Sequence, residues 1–343
     1  MNLDAIHSSS TLQIDPIVFQ AEWPDRLKPE VESCIVKTAK IFWDVISYII
    51  FPIILLRYLY DYLKDLALFF LVPGCLHLPE TRIALEGMTL VSDCQGEKVK
   101  LSTPDGALLD AVFVKGAEHP KKVIILGFGN GMQWEINGPK LVELLQTFGT
   151  SILTLNPRGV GESLGIRSCE GYALDFYTGY EYLHHQLGID LEDILLITHS
   201  MSGATGSLGA ALVQEKYPDK KISIIHDRSF NNVSSAAEAV VGNFCCCLGP
   251  LARCLLFSFG IEMNSMEAFE KLKGKRCVIY NKGDEIIPYQ EASLHYHLRQ
   301  EIRDSITEIE MAPYWEQPHM RPYIGIEDDV FKDTVNEFLK LSE

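Results

Sequence analysis

The sequence predicts an α/β fold: a mostly parallel sheet of eight strands with helices on both faces. Three observations predict it. Short apolar runs rich in β-branched residues alternate with helix-compatible stretches from about residue 122 to 226, and strands apolar throughout are the mark of a sheet covered on both faces. One such run, Ile194 to Ile197, leads through Thr198, His199, Ser200, Met201 and Ser202 into Gly203, Ala204, Gly206, Ala210 and Ala211. That is a strand, a sharp turn with one hydroxyl at its tip, and a helix of small residues. Third, 47 % of the 343 residues are hydrophobic, ample for one large core.

Taken in order, residues 1–34 are polar, carry Pro16, Pro24 and Pro29, and read as a loosely structured arm. From Ile41 to Tyr60 the chain is apolar, interrupted by Asp44 and Arg57; the uncharged run Val45 to Leu56 is 12 residues long and contains Pro52. A membrane span needs about 20. Leu55, Leu59, Leu63, Leu66 and Phe70 form a stripe opposite Arg57, Asp61, Lys64 and Asp65, an amphipathic helix that either packs on the folded domain or lies in a bilayer surface. Pro73-Gly74 ends it. Residues 1–84 are thus an extension with hydrophobic helices, and 85–343 the main domain.

That domain opens with strands at Glu97 to Leu101 and Leu108 to Val114, joined by the turn Pro104-Asp105-Gly106. Strands follow at Lys122 to Leu126, Ser151 to Leu155, Ile194 to Ile197 and Ile222 to Ile225, with helices at about 137–148 and 174–187 between them. The alternation then breaks. Residues 230–273 hold no clear strand, and 236–260 are strongly apolar with only Glu238 and Arg253 charged. A helical insert placed after a strand end is a cap over a site there, and apolar pockets of that kind suit acyl chains; an internal pair of core helices is the other reading. Strands at Arg276 to Tyr280 and Ile306 to Met311, a helix near 290–303 and a closing helix at about 328–341 complete the domain.

Open parallel sheets carry their sites at the carboxyl ends of the strands. Ser200, Asp284 in NKGDEIIP and His319 in WEQPHMRPY each follow a strand end, in the order Ser, Asp, His. A serine hydroxyl is a weak nucleophile; an imidazole must take its proton and a carboxylate must orient that imidazole. A serine merely capping its helix is the plainer alternative, and Asp227 is the alternative acid. His199 neighbours Ser200 but is expected to point away from the tip. The loop GFGNGM at 127–132 has Met132 where a dinucleotide fingerprint needs glycine. It stands instead where the backbone N–H of Asn130 would join that of Met201 in holding an oxyanion. This chemistry requires no metal and no organic cofactor.

Net charge is −16. That argues against nucleic acid as a partner and against attraction to anionic lipid by charge alone. The nine cysteines include the adjacent Cys245, Cys246 and Cys247, a pattern that suits neither a disulfide framework nor a zinc site. They read as free thiols in a reducing compartment, with acylation as the alternative if the cap meets a membrane. The start MNLDAIHSSS lacks the basic and apolar regions of a secretory signal, so a cytoplasmic protein is expected.

Together GFGNGM, NPRGVGES, THSMSG, HDRSFNN, NKGDEIIP and PHM resemble an α/β-hydrolase over about residues 85–340. The resemblance is nearest to the hydrolase family of intracellular bacteria such as Chlamydia and Legionella that includes SidB-type effectors. It is more distant to eukaryotic α/β-hydrolase-domain lipases acting on phospholipids. It implies an acyl-ester hydrolase, a lipid or other small-molecule ester as substrate, and delivery to a host cytoplasm. It also implies Ser200 as nucleophile, Asp284 as acid and His319 as base. Thr198 and Ser202 depart from the glycines usual at those places. The sequence leaves open an acyltransferase or thioesterase on the same three residues, a non-catalytic scaffold, and peripheral membrane association through the 41–74 helices and the cap.

Overall fold

The computed structural model describes residues 17–20, 38, 55–64, 81–244, 247–312 and 316–341. Among the described residues the sheet has nine strands, in the order β1-β2-β3-β5-β4-β6-β7-β8-β9. They are β1 Ile17–Gln20, β2 Glu97–Ser102, β3 Leu108–Val114, β4 His119–Gly127, β5 Thr150–Leu155, β6 Ile194–His199, β7 Ser223–Asp227, β8 Arg276–Asn281 and β9 Thr307–Met311. β3 runs antiparallel to β2 and β5, and every pair from β5 through β4 to β9 is parallel. The eight expected strands are all present. The ninth, β1, lies in the arm read as loose. It pairs in parallel with β2, Ile17 opposite Val99 through Gln20 opposite Ser102, and so covers an edge that β2 would otherwise leave open.

Residue alternation along the strands explains why both faces carry helices. In β4, Val123 and Ile125 enter one core while Ile124 and Leu126 enter the other; β6 splits likewise at Ile194 and Leu196 against Leu195 and Ile197. On the first face lie α3 (Cys169–Glu181) and α4 (Met201–Lys216). On the second lie α1 (Arg82–Asp93), α2 (Gly138–Phe148) and α10 (Ile326–Leu339). α1 was not among the expected helices. Its signal is modest: Ala84, Gly87 and Val91 turn inward at helical spacing, and the Thr81 hydroxyl accepts the Ala84 N–H at 3.3 Å as its cap. The expected helix over 174–187 begins earlier, at Cys169, and its end Tyr182–Gln186 is a π-turn.

The insert is helical, as expected. α5 (Val233–Phe244) and α6 (Leu248–Ser258) pack on one another, and α7 (Ser265–Glu270) leads back to β8. A third core joins this cap to the sheet end through Val160, Tyr172, Ala204, Phe230, Val233 and Leu256. The helix expected near 290–303 is two four-residue pieces, α8 (Leu294–His297) and α9 (Gln300–Arg303).

Residues 55–64 of the extension are helical. The Tyr60 hydroxyl donates to the Ser258 carbonyl at 3.1 Å, and its ring meets Phe259 edge-on at 5.2 Å. This stretch therefore touches the cap, while Leu55, Leu59 and Leu63 of the predicted stripe stay exposed. The rest of the 41–74 prediction, and Cys245 and Cys246, lie outside the described residues. Among the described residues no helix is long and apolar enough to cross a membrane.

Candidate active site

Ser200 stands between β6 and α4 with φ 55° and ψ −120°. That backbone region is costly for a side chain larger than glycine's, by about 1–3 kcal/mol. The strain lifts the side chain out of the turn, and it makes no capping bond to its own helix. The plain capping reading is thereby set aside. Ser200 Oγ lies 2.9 Å from His319 Nε2, and His319 Nδ1 lies 2.8 and 3.1 Å from the two Asp284 oxygens. All three side chains are buried. Asp284 is held in turn: its Oδ1 accepts the Ile286 and Ile287 N–H groups at 2.9 and 2.7 Å. The Gly283 N–H meets Asn281 Oδ1 at 2.8 Å, which closes the turn after β8. Three residues from three strand ends, 119 positions apart at the widest, thus form one hydrogen-bonded line.

The two non-glycine elbow positions find room from glycines elsewhere. Ser202 sits against Gly127, where an added Cβ would lie 2.8 Å from Ser202 Cβ. Thr198 sits against Gly206, where an added Cβ would lie 2.9 Å from Thr198 Cγ2. The tight approach of strand and helix is preserved with the bulk moved from one partner to the other. Both hydroxyls are spent locally: Thr198 Oγ1 donates to the Ile225 carbonyl at 3.1 Å, and Ser202 Oγ to the His199 carbonyl at 2.9 Å.

Asn130, Met201 and Ser200 share the wall of one cavity of about 380 Å³. Met201 is the first residue of α4, and the opening N–H groups of a helix have no partner within it. Asn130 lies in the loop after β4, whose turn is closed by the Met132 N–H on the Gly129 carbonyl at 3.2 Å. Just beyond, Asn156 takes the Trp134 N–H at 3.0 Å and donates to the Glu135 carboxylate. Burial pushes that Glu135 carboxyl above its usual range. The remaining cavity wall comes from the cap and is apolar: Val233, Ala236, Val240, Leu255 and Leu256, with Ile286 and Ile287 opposite.

Asp227, the alternative acid, is not the partner of His319. It pairs with His199 Nδ1 at 3.0 Å and with the Arg228 guanidinium at 2.8 Å on each oxygen. Burial opposes its charge, yet Arg228 and His199 hold the carboxyl far below the usual carboxylate range. The His199 ring bonds Asp227 through Nδ1, and its centre lies 5.0 Å from that of His319. The reason is register: His199 is opposite Asp227 across β6 and β7, so their side chains share a face. Burial pushes the His199 imidazolium below its ordinary pKa. HDRSFNN was visible as a motif, but nothing in its spacing said that Asp227 would pair with both His199 and Arg228.

No family model matches the chain. It is 28% identical over 225 residues to a phosphatidylserine lipase ABHD16A of Bos taurus, across 63% of this chain and 38% of that protein. It is 22% identical over 297 residues to the uncharacterized protein YfhR of Salmonella typhi, across 81% of this chain and 94% of that one. The chain thus spans under two-fifths of the length of the lipase it matches. Among solved structures it superposes on the Pyrococcus furiosus esterase Pf2001 with a TM-score of 0.55 at 18% identity, covering 73% of this chain and 92% of that. An alpha-beta hydrolase of Vibrio vulnificus gives 0.53 at 16% identity, covering 76% and 86%. The fold is the α/β-hydrolase fold.

Proposed function

We propose that this chain is a serine hydrolase that cleaves an acyl ester, with a membrane phospholipid as its substrate class. The observation that carries the reading is the Ser200–His319–Asp284 line, 2.9 and 2.8 Å in its two links, at the wall of an apolar cavity. Ser200 Oγ attacks the ester carbonyl as its proton passes to His319 Nε2. The N–H groups of Asn130 and Met201 hold the oxyanion that forms. As the intermediate collapses, the imidazolium returns its proton to the departing alcohol and an acyl–Ser200 ester remains. A water deprotonated by His319 then releases the acid and restores the serine. Asp284 keeps the ring oriented and stabilises its cation.

The apolar cap wall supports an acyl chain as occupant, and the name of the bovine relative points to a phospholipid. Exposed Leu248, Leu251 and Leu255 recur on α6 at helical spacing, and Leu255 also lines the cavity. This favours uptake from a lipid surface, with the 41–74 segment as a second contact. Residence in, or delivery to, a host cytoplasm rests on the motif resemblance alone; a translocation reporter fused to the chain tests it. For the chemistry, the test is turnover of a short p-nitrophenyl ester and of phosphatidylserine and phosphatidylcholine vesicles. Ser200→Ala is expected to lower kcat by roughly a million-fold if the three residues act as a unit. Undiminished turnover by that variant contradicts the assignment.

A further inference from the structure

We infer that Arg228 is a positioning residue that fixes the backbone of His319 against Ser200; this rests on the hydrolase reading above. Arg228 follows β7 with φ 41°, a left-handed conformation uncommon for a residue with a long side chain. Its N–H is tied to the Ile279 carbonyl at 2.8 Å. From that bend the guanidinium runs under the turn that carries the imidazole. Nη1 donates to the Pro318 carbonyl at 3.1 Å and to the Arg321 carbonyl at 2.7 Å, one on each side of His319. Nε and Nη2 grip the two Asp227 oxygens at 2.8 Å each. Asp227 also takes His199 Nδ1, and the Ser200 N–H donates to the Asp227 carbonyl at 3.0 Å.

A ring of bonds therefore closes from the nucleophile's backbone, through Asp227 and Arg228, to both flanks of His319. Asp284 orients the imidazole ring; Arg228 holds the chain from which it hangs. These carbonyls lie 90 and 93 positions further along the sequence, so bonds within the turn cannot supply this registration; the other tie is the Glu285 carboxylate, which accepts the His319 N–H at 3.1 Å but reaches one side of the turn only. The arrangement exceeds what an ion pair needs. A buried carboxylate is satisfied by the fork of a guanidinium alone, yet here the remaining nitrogen is spent on two carbonyls. Lysine keeps the charge but cannot form the fork and reach both carbonyls at once. Misplacement by about 1 Å of a group in the reacting line costs on the order of 100-fold in rate.

The experiment compares the full chain with Arg228→Lys on a short p-nitrophenyl ester and in the rate of labelling by a fluorophosphonate, with folding checked by thermal melting. The folded variant is expected to lose about 100-fold in kcat and a similar factor in labelling rate, with KM unchanged. A folded variant with wild-type kcat, or one whose loss falls on KM, overturns the inference. Should Arg228→Lys not fold, Asp227→Asn takes its place. It unties the guanidinium from the end of β7 and is expected to lose about tenfold or more in kcat with KM unchanged. A folded Asp227→Asn with wild-type kcat overturns the clamp. A wild type without turnover or labelling sinks the hydrolase reading itself; an active wild type with an unimpaired Arg228→Lys sinks only the clamp.

Discussion

At the scale of the residue, burial decides what each histidine can do. His319 stands between a hydroxyl and a carboxylate and has a proton route at both nitrogens. His226, fully buried on β7 with its ring against Phe269, has no such use. Burial pushes its imidazolium down to about 3, with the Asp227 charge offsetting part of the effect. In the unfolded chain that group titrates near 6.5. Between those values the unfolded state binds one more proton, so stability is lost as pH falls from about 6.5 toward 3 and is untouched above that window. The slope from this one group is up to about 1.4 kcal/mol per pH unit. Urea unfolding at pH 7 and pH 5 is expected to show a larger loss for the wild type than for His226→Leu; parallel losses contradict it. The three residues of the hydrogen-bonded line could be picked out in the sequence because each follows a strand end. The Asp227–His199 pairing was not, because it depends on which residues face one another across β6 and β7.

At the scale of the element, the elbow shows how a motif can be kept while its spelling changes. The requirement is a short distance between strand and helix, and glycine can meet it from either side. Gly206→Ala is expected to destabilise by about 1–3 kcal/mol, because the new Cβ would lie 2.9 Å from Thr198 Cγ2. In a Thr198→Ser background, which removes that methyl and keeps the hydroxyl bonded to Ile225, the same change costs less, the remaining close contact being Leu196 Cδ2 at 3.2 Å from the new Cβ, offset by the helix preference of alanine. A double-mutant cycle on urea midpoints reads the coupling, expected above about 1 kcal/mol; additive effects contradict it. Other elements were legible to different degrees. The core strands announced themselves because both faces are apolar. β1 did not, since four residues gain strand character only by pairing with β2. α1 was hidden because its inward face is built from small residues, Ala84 and Gly87, that carry little hydrophobic signal.

At the scale of the whole molecule, a net charge of −16 sits with an exposed apolar face on the cap. Binding to a lipid surface would then be driven by apolar burial and not by attraction to head groups. Co-sedimentation with phosphatidylcholine vesicles is expected to be insensitive to salt between 50 and 500 mM, roughly the range over which surface charge effects are screened. Leu251→Glu with Leu255→Glu is expected to weaken it at least tenfold, at about 2.5–3.5 kcal/mol per buried charge at full depth and less at the interface. Salt-sensitive binding, or binding indifferent to both changes, contradicts the docking face. The most direct measurement concerns the hydroxyl itself. When the full chain is treated with a fluorophosphonate and the labelled peptide sequenced by mass spectrometry, the phosphonyl group is expected on Ser200, with no labelling of His319→Ala or Ser200→Ala. A wild-type chain that stays unlabelled, or carries the group on another residue, contradicts an activated serine at this site.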